Sequence, residues 1–132
     1  YAVDLLQADY GSLEGARVAV LGAAYRGGVK ETAFSGVFPT VAALERGGAI
    51  ATVHDPLFDE AELRTLGFES YEFGEEIDAV IVQADHEMYR SISSEDLPGV
   101  KVIVDGRRVT EPANFTGVTW REIGGSAPHG TA

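Results

Sequence analysis

Apolar and polar positions alternate along the chain in short blocks. Residues 17–22 (RVAVLG) are an apolar run closed by glycine, the pattern of a strand buried on both faces of a parallel sheet. Residues 49–54 (AIATVH), 78–83 (DAVIVQ) and 101–105 (KVIVD) repeat it. Between the first two runs, Val37, Val41 and Leu44 recur at helical spacing. Ser35 offers an N-cap there, Pro39 falls in the tolerant first turn, and Gly47 and Gly48 stop the helix. Residues 59–66 (DEAELRTL) read as a short helix closed by Gly67, and residues 68–73 as a short third strand. Residues 85–92 read as a loop or short helix, and residues 118–123 (VTWREI) as a last, edge strand. Val3, Leu5 and Leu6 give residues 1–10 a helical pattern, that of the end of a longer helix begun upstream. Residues 124–132 are small and polar, and a mobile tail is expected.

Strands alternating with helices predict right-handed crossovers and a mainly parallel sheet. The expected fold is a Rossmann-like, three-layer α/β/α sandwich with strand order 3-2-1-4-5. One domain covers residues 16–124. A helix end with linker precedes it at 1–15, and a tail follows at 125–132. In such sheets ligands sit beyond the carboxyl ends of the strands, at the switch point.

The 132 residues include 21 acidic and 10 basic side chains, for a formal charge of −11, and no cysteine. That charge argues against general nucleic-acid or anionic-membrane binding. Without cysteine this chain has no disulfide, thiolate metal site or thiol nucleophile. No apolar run approaches the ~20 residues of a spanning helix.

Against the acidic background, four cations follow strands: Arg26 and Lys30 after the first, Arg107 and Arg108 after the run ending at Asp105. Arginine offers bidentate hydrogen bonds to phosphate and lysine a point charge, so the cluster predicts an anionic ligand. Taken singly, each cation would merely pair with Glu31, Asp105 or Glu111. Gly22-Ala23-Ala24-Tyr25-Arg26-Gly27 resembles a degraded dinucleotide loop, with alanine at the second glycine position, and reads equally as a tight glycine turn with no ligand. Asp55 sits where a ribose-binding carboxylate would, and Asp55-Pro56 is also a turn starter. His54, His86 and His129 lack metal-ligand spacing, and His86 reads as a solvated loop histidine. Glu69, Glu72, Glu75 and Glu76 read as a solvated acidic face, and Trp120 as packing. No nucleophile or general base stands out.

Four of these segments, in order, resemble the C-terminal domain of UDP-glucose/GDP-mannose dehydrogenases. They are Val18-Ala19-Val20-Leu21-Gly22-Ala23-Ala24-Tyr25-Arg26, Val53-His54-Asp55-Pro56, Ala84-Asp85-His86-Glu87-Met88-Tyr89 and Val102-Ile103-Val104-Asp105-Gly106-Arg107. The resemblance runs over about residues 16–122. It implies oxidation of the C6 alcohol of a nucleotide sugar to a carboxylate with NAD. It also implies a partner N-terminal NAD domain carrying a catalytic cysteine, a connecting helix ending in residues 1–10, and a dimer or larger assembly. Tyr25, Arg26, Arg107 and Arg108 would bind the sugar nucleotide, and no catalytic residue is carried over. Ala33 replaces an arginine that helps hold NAD, and Lys30 is the candidate substitute. The isolated chain would be inactive, and cytoplasmic. A free-standing Rossmann-like nucleotide-binding module, or a domain that chiefly mediates assembly, are the alternatives.

Overall fold

Each apolar run becomes a strand within a residue or two of its expected limits. The structure is a computed structural model and describes residues 2–23 and 36–123. The strands are β1 (Arg17–Leu21), β2 (Ile50–His54), β3 (Ala79–Val82), β4 (Val102–Asp105) and β5 (Thr119–Glu122). They form one sheet in the order β2-β1-β3-β4-β5, parallel throughout. The helices are α1 (Ala2–Tyr10), α2 (Val37–Arg46) and α3 (Glu60–Thr65).

The expected third strand contracts to a single bridge, Val53 to Ser70, on the outer side of β2. Val53 N–H donates to the Glu69 carbonyl and Tyr71 N–H to the Val53 carbonyl, both at 2.8 Å. Tyr71 then turns inward, its hydroxyl donating to the Glu75 carbonyl at 2.7 Å, and the chain curls into a turn. With that bridge counted, the spatial order is the Rossmann order expected.

The strands are buried on both faces, and their residues divide strictly by parity. Val18, Val20, Ala79, Ile81, Val102 and Val104 pack with Val3 and Leu6 of α1, Val37, Val41 and Leu44 of α2, and Leu63 of α3. Ala19, Leu21, Val80, Val82 and Ile103 pack with Tyr71, Tyr89, Leu97, Phe115 and Trp120 on the other face. Among the described residues that second layer is carried by 3-10 helices at Glu87–Ser91, Ser94–Asp96 and Pro112–Asn114. Each buried aliphatic or aromatic side chain is worth ~1.5–3 kcal/mol relative to exposure, so both layers hold the sheet.

Local signals act as their chemistry requires. Asp59 caps α3 through a capping box, accepting from Glu62 N–H at 2.8 Å while Glu62 Oε1 accepts from Asp59 N–H at 3.0 Å. Pro39 lies in the first turn of α2, where a missing N–H costs nothing. Gly36 stands at the N-cap of α2; the N-cap expected at Ser35 lies outside the described residues, as does the tail.

Candidate functional site at the carboxyl edge of the sheet

The order of the sheet places the switch point between β1 and β3. Gly22 follows β1 with φ +115°, and a Cβ there would lie 2.4 Å from Ala84 Cβ and 2.7 Å from Ala84 N. Only glycine fits this backbone and this approach. The two loops at the switch point are therefore in direct contact.

Asp55, at the end of β2, is buried and turned inward. Its Oδ1 accepts from Leu57 N–H, and its Oδ2 from Ala23 N–H and from His86 Nε2, each at 2.8 Å. The carboxylate thus starts its own turn and ties the loops after β1, β2 and β3 together. It is not displayed to solvent, so Asp55 does not serve here as a ribose carboxylate of the dinucleotide kind.

His86 corrects the sequence reading. It is 3% exposed rather than solvated, and its partner is 31 residues away. A carboxylate only accepts, so Nε2 carries the proton. Beside it, Tyr89 donates its hydroxyl hydrogen to the His54 carbonyl at 3.1 Å and accepts from His54 Nδ1 at 2.9 Å. Burial lowers the His54 pKa to about 4, with neighbouring Asp55 opposing the shift, and His54 is neutral near pH 7. Burial raises the Tyr89 hydroxyl above its usual range. These rings and Phe73 form an aromatic cluster under the edge, His54 and Phe73 with centroids 4.5 Å apart.

The turn after β4 is built around Asp105, which is fully buried. Its carboxylate accepts from the N–H groups of Arg107 (2.9 Å), Val109 (3.0 Å) and Thr110 (2.8 Å), and from the Thr110 hydroxyl. Thr110 Oγ1 in turn accepts from Trp120 Nε1 at 2.9 Å, so Trp120 both packs and braces the turn. Gly106 passes close to β3, where a Cβ would lie 2.9 Å from the Val82 carbonyl oxygen.

With its oxygens so occupied, Asp105 is not the ion partner of the arginines it displays. Arg107 pairs with Asp85 at 3.5 Å and Arg108 with Glu122 at 3.4 Å, not with Asp105 or Glu111. The Arg107 side chain is 37% exposed and that of Arg108 63%, so both face solvent. Arg108 holds φ 57°, a left-handed backbone that non-glycine residues rarely adopt.

Of the residues expected at the site, Arg107 and Arg108 stand together at the carboxyl edge. Tyr25, Arg26 and Lys30 lie outside the described residues. Sequence reasoning missed the Asp55–His86 pair. The only signal available in the sequence was that both residues follow strands, Asp55 after the second apolar run and His86 after the 78–83 run. Among the described residues, two open grooves flank the edge. One, of about 290 Å³, is lined by His54, Phe58, Asp59, Tyr71 and Glu72 among others. The other, of about 300 Å³, lies between Ala2, Gly36, Thr40, Gln83 and Ile123. Among the described residues no group of three or more histidine and acidic side chains could hold a metal ion, and no helix is long and apolar enough to cross a membrane.

The parallel sheet, its order and its glycine-tight switch point define a Rossmann-like α/β class of domain. Residues 19–112 match the family described as "UDP-glucose/GDP-mannose dehydrogenase family, UDP binding domain", and the chain belongs to that family. Solved structures agree. A UDP-glucose dehydrogenase from Pyrobaculum islandicum matches with TM-score 0.75 and 27% identity, over 92% of this chain and 28% of that one. A UDP-D-ManNAc dehydrogenase from Pyrococcus horikoshii matches with TM-score 0.71 and 25% identity, over 93% and 30%. The UDP-N-acetyl-mannosamine dehydrogenase Cap5O from Staphylococcus aureus shares the fold, with TM-score 0.74 and 23% identity over 94% and 30%. This chain thus spans less than a third of each of these relatives. Among curated proteins nothing matches.

Proposed function

We propose that this chain holds the nucleotide part of a sugar nucleotide for an NAD-dependent 6-dehydrogenase, which oxidises the C6 alcohol to a carboxylate. The observation that carries the reading is the Asp105-centred turn, which presents exposed arginines at the carboxyl edge of an otherwise acidic domain, Arg107 towards the segment after β3 and Arg108 towards the end of β5. The diphosphate is the part of the ligand they suit, since guanidinium groups meet phosphate oxygens two at a time. Tyr25 and Arg26, from the loop after β1, complete the site in this reading. Lys30 stands in for the family's NAD-contacting arginine.

The domain's contribution is placement. It fixes the sugar so that C6 meets a cysteine and NAD held by another domain, which is catalysis by positioning. Residues 1–15 serve as the end of the connecting helix and linker, residues 16–124 as the binding domain and residues 125–132 as a tail. The working enzyme is a dimer or larger, acting in the cytoplasm, and this chain alone is inactive.

The test is an amide NMR titration with UDP, GDP and NAD in parallel. The reading expects shifts at Arg107 and Arg108, and at Tyr25 and Arg26, with UDP or GDP. Arg107→Ala should then weaken binding by about tenfold or more, the loss of one charge-assisted contact of ~1.5–3 kcal/mol. Shifts with NAD alone would replace the reading with a free-standing dinucleotide module.

A further inference from the structure

Because β1 lies between β2 and β3, the segment after β3 must cross the carboxyl end of β1 to reach β2. It does so in three contacts. Ala84 rests on Gly22, His86 bonds Asp55, and Tyr89 bonds both the carbonyl and the ring of His54. Consecutive side chains point apart, so His86 seats inward while Asp85 faces outward and holds Arg107 at 3.5 Å. The side chains of His86 and Asp55 are 3% and 0% exposed, whereas those of Arg107 and Asp85 are 37% and 42% exposed. A buried anchor thus sits one residue from the carboxylate that pairs with an exposed guanidinium.

We propose that His86 is a positioning residue for recognition of a nucleotide's diphosphate. It fixes the 84–89 segment on Asp55, and Asp85 carries that placement to Arg107. The inference rests on the function proposed above, and deepens it by assigning a residue that touches no ligand. A histidine is suited to the task. Its Nε2–H reaches a carboxylate that also accepts from Ala23 N–H, so one anion sets the loops after β1 and β3 together.

The experiment measures UDP affinity of the 132-residue chain by calorimetry. It uses the wild type, His86→Leu, His86→Gln, Arg107→Ala and the Leu and Ala changes combined. His86→Leu should weaken binding on the order of tenfold, the scale of losing a group that orients a binding side chain. His86→Gln, whose amide nitrogen reaches the same carboxylate, should recover most of that loss. In the Arg107→Ala background, His86→Leu should have little further effect, because its influence runs through Arg107. A purely structural role would give equal losses in both backgrounds and would overturn the proposal, as would unchanged affinity in a folded His86→Leu. If His86→Leu fails to fold, His86→Asn, whose amide falls short of Asp55, takes its place in the same cycle. A wild type that binds neither UDP nor, in the same measurement, GDP overturns the proposed function itself. A wild type that binds, with variants that bind equally, overturns only the role of His86.

Discussion

Gly22 meets two demands at once, a left-handed backbone and a neighbour at 2.4 Å from any Cβ. The neighbour is a Cβ and backbone nitrogen of Ala84, not the tip of a flexible side chain, so nothing can swing aside. Gly22→Ala should therefore cost at least ~2 kcal/mol, combining backbone strain with overpacking. A shift of the urea midpoint without a change in slope would show it. The glycine was legible as punctuation after an apolar run, and Asp105-Gly106 likewise. The inward turn of Asp55 and Asp105 was not. Whether a carboxylate faces water or the backbone is settled by partners such as Ala23, His86 and Thr110, and those tied to Asp55 come from other strands. His86 was misread for the same reason, since neighbours in sequence say nothing about a residue 31 positions back.

α1 is held to the sheet at both layers of chemistry. Val3 and Leu6 enter the core, and Asp9 receives Arg121 of β5 through two bonds of 2.7 and 2.9 Å. The side chains of Arg121 and Asp9 are only 16% and 10% exposed, so water screens the pair little. Arg121→Ala or Asp9→Ala should each cost ~2–3 kcal/mol, since either breaks a largely buried ion pair from one side. The double change should cost less than the sum, by ~1 kcal/mol or more. Faster amide exchange in Ala2–Tyr10 in the single variants would locate the loss. At this scale the strands and α2 were legible, because unbroken apolar runs and 3.6-residue spacing have few other readings. The 68–73 strand was overdrawn, since two backbone bonds to Val53 exhaust its pairing before Tyr71 turns inward. The 3-10 layer was not legible, since pieces of three to five residues leave no period to read.

For the whole molecule, stability carries a pH signature from His54. In the unfolded chain its pKa is about 6.5, and in the folded protein burial lowers it to about 4. Below pH 6.5 the unfolded state therefore binds a proton that the folded state refuses. The stabilisation is fully present above ~6.5 and is lost progressively as pH falls towards ~4. His54→Gln should flatten that decline by up to ~3 kcal/mol, the ceiling set by the size of the shift. Unfolding midpoints at pH 7.5 and 4.5 would measure it, and an unchanged slope would mean that His54 is not the group responsible. The order of the sheet was legible at this scale from strand–helix alternation and crossover handedness. That order sets Arg107 and Arg108, which follow β4, at the carboxyl edge, while Arg26 and Lys30 of the expected cluster lie outside the described residues.

The groove between Ala2, Gly36, Gln83 and Ile123 has a practical corollary. The first and last described residues of the chain open on the same edge as the arginines, while Gly15 and Gly48, joined by a 2.9 Å backbone bond, mark the opposite edge. An affinity tag or fusion added near Ala2 or Ile123 would crowd the edge that carries Arg107 and Arg108. An immobilisation handle or fluorophore belongs on the far side, at exposed neighbours of those glycines such as Ser12 or Glu45, where it would report on the domain without occupying the edge that carries the arginines.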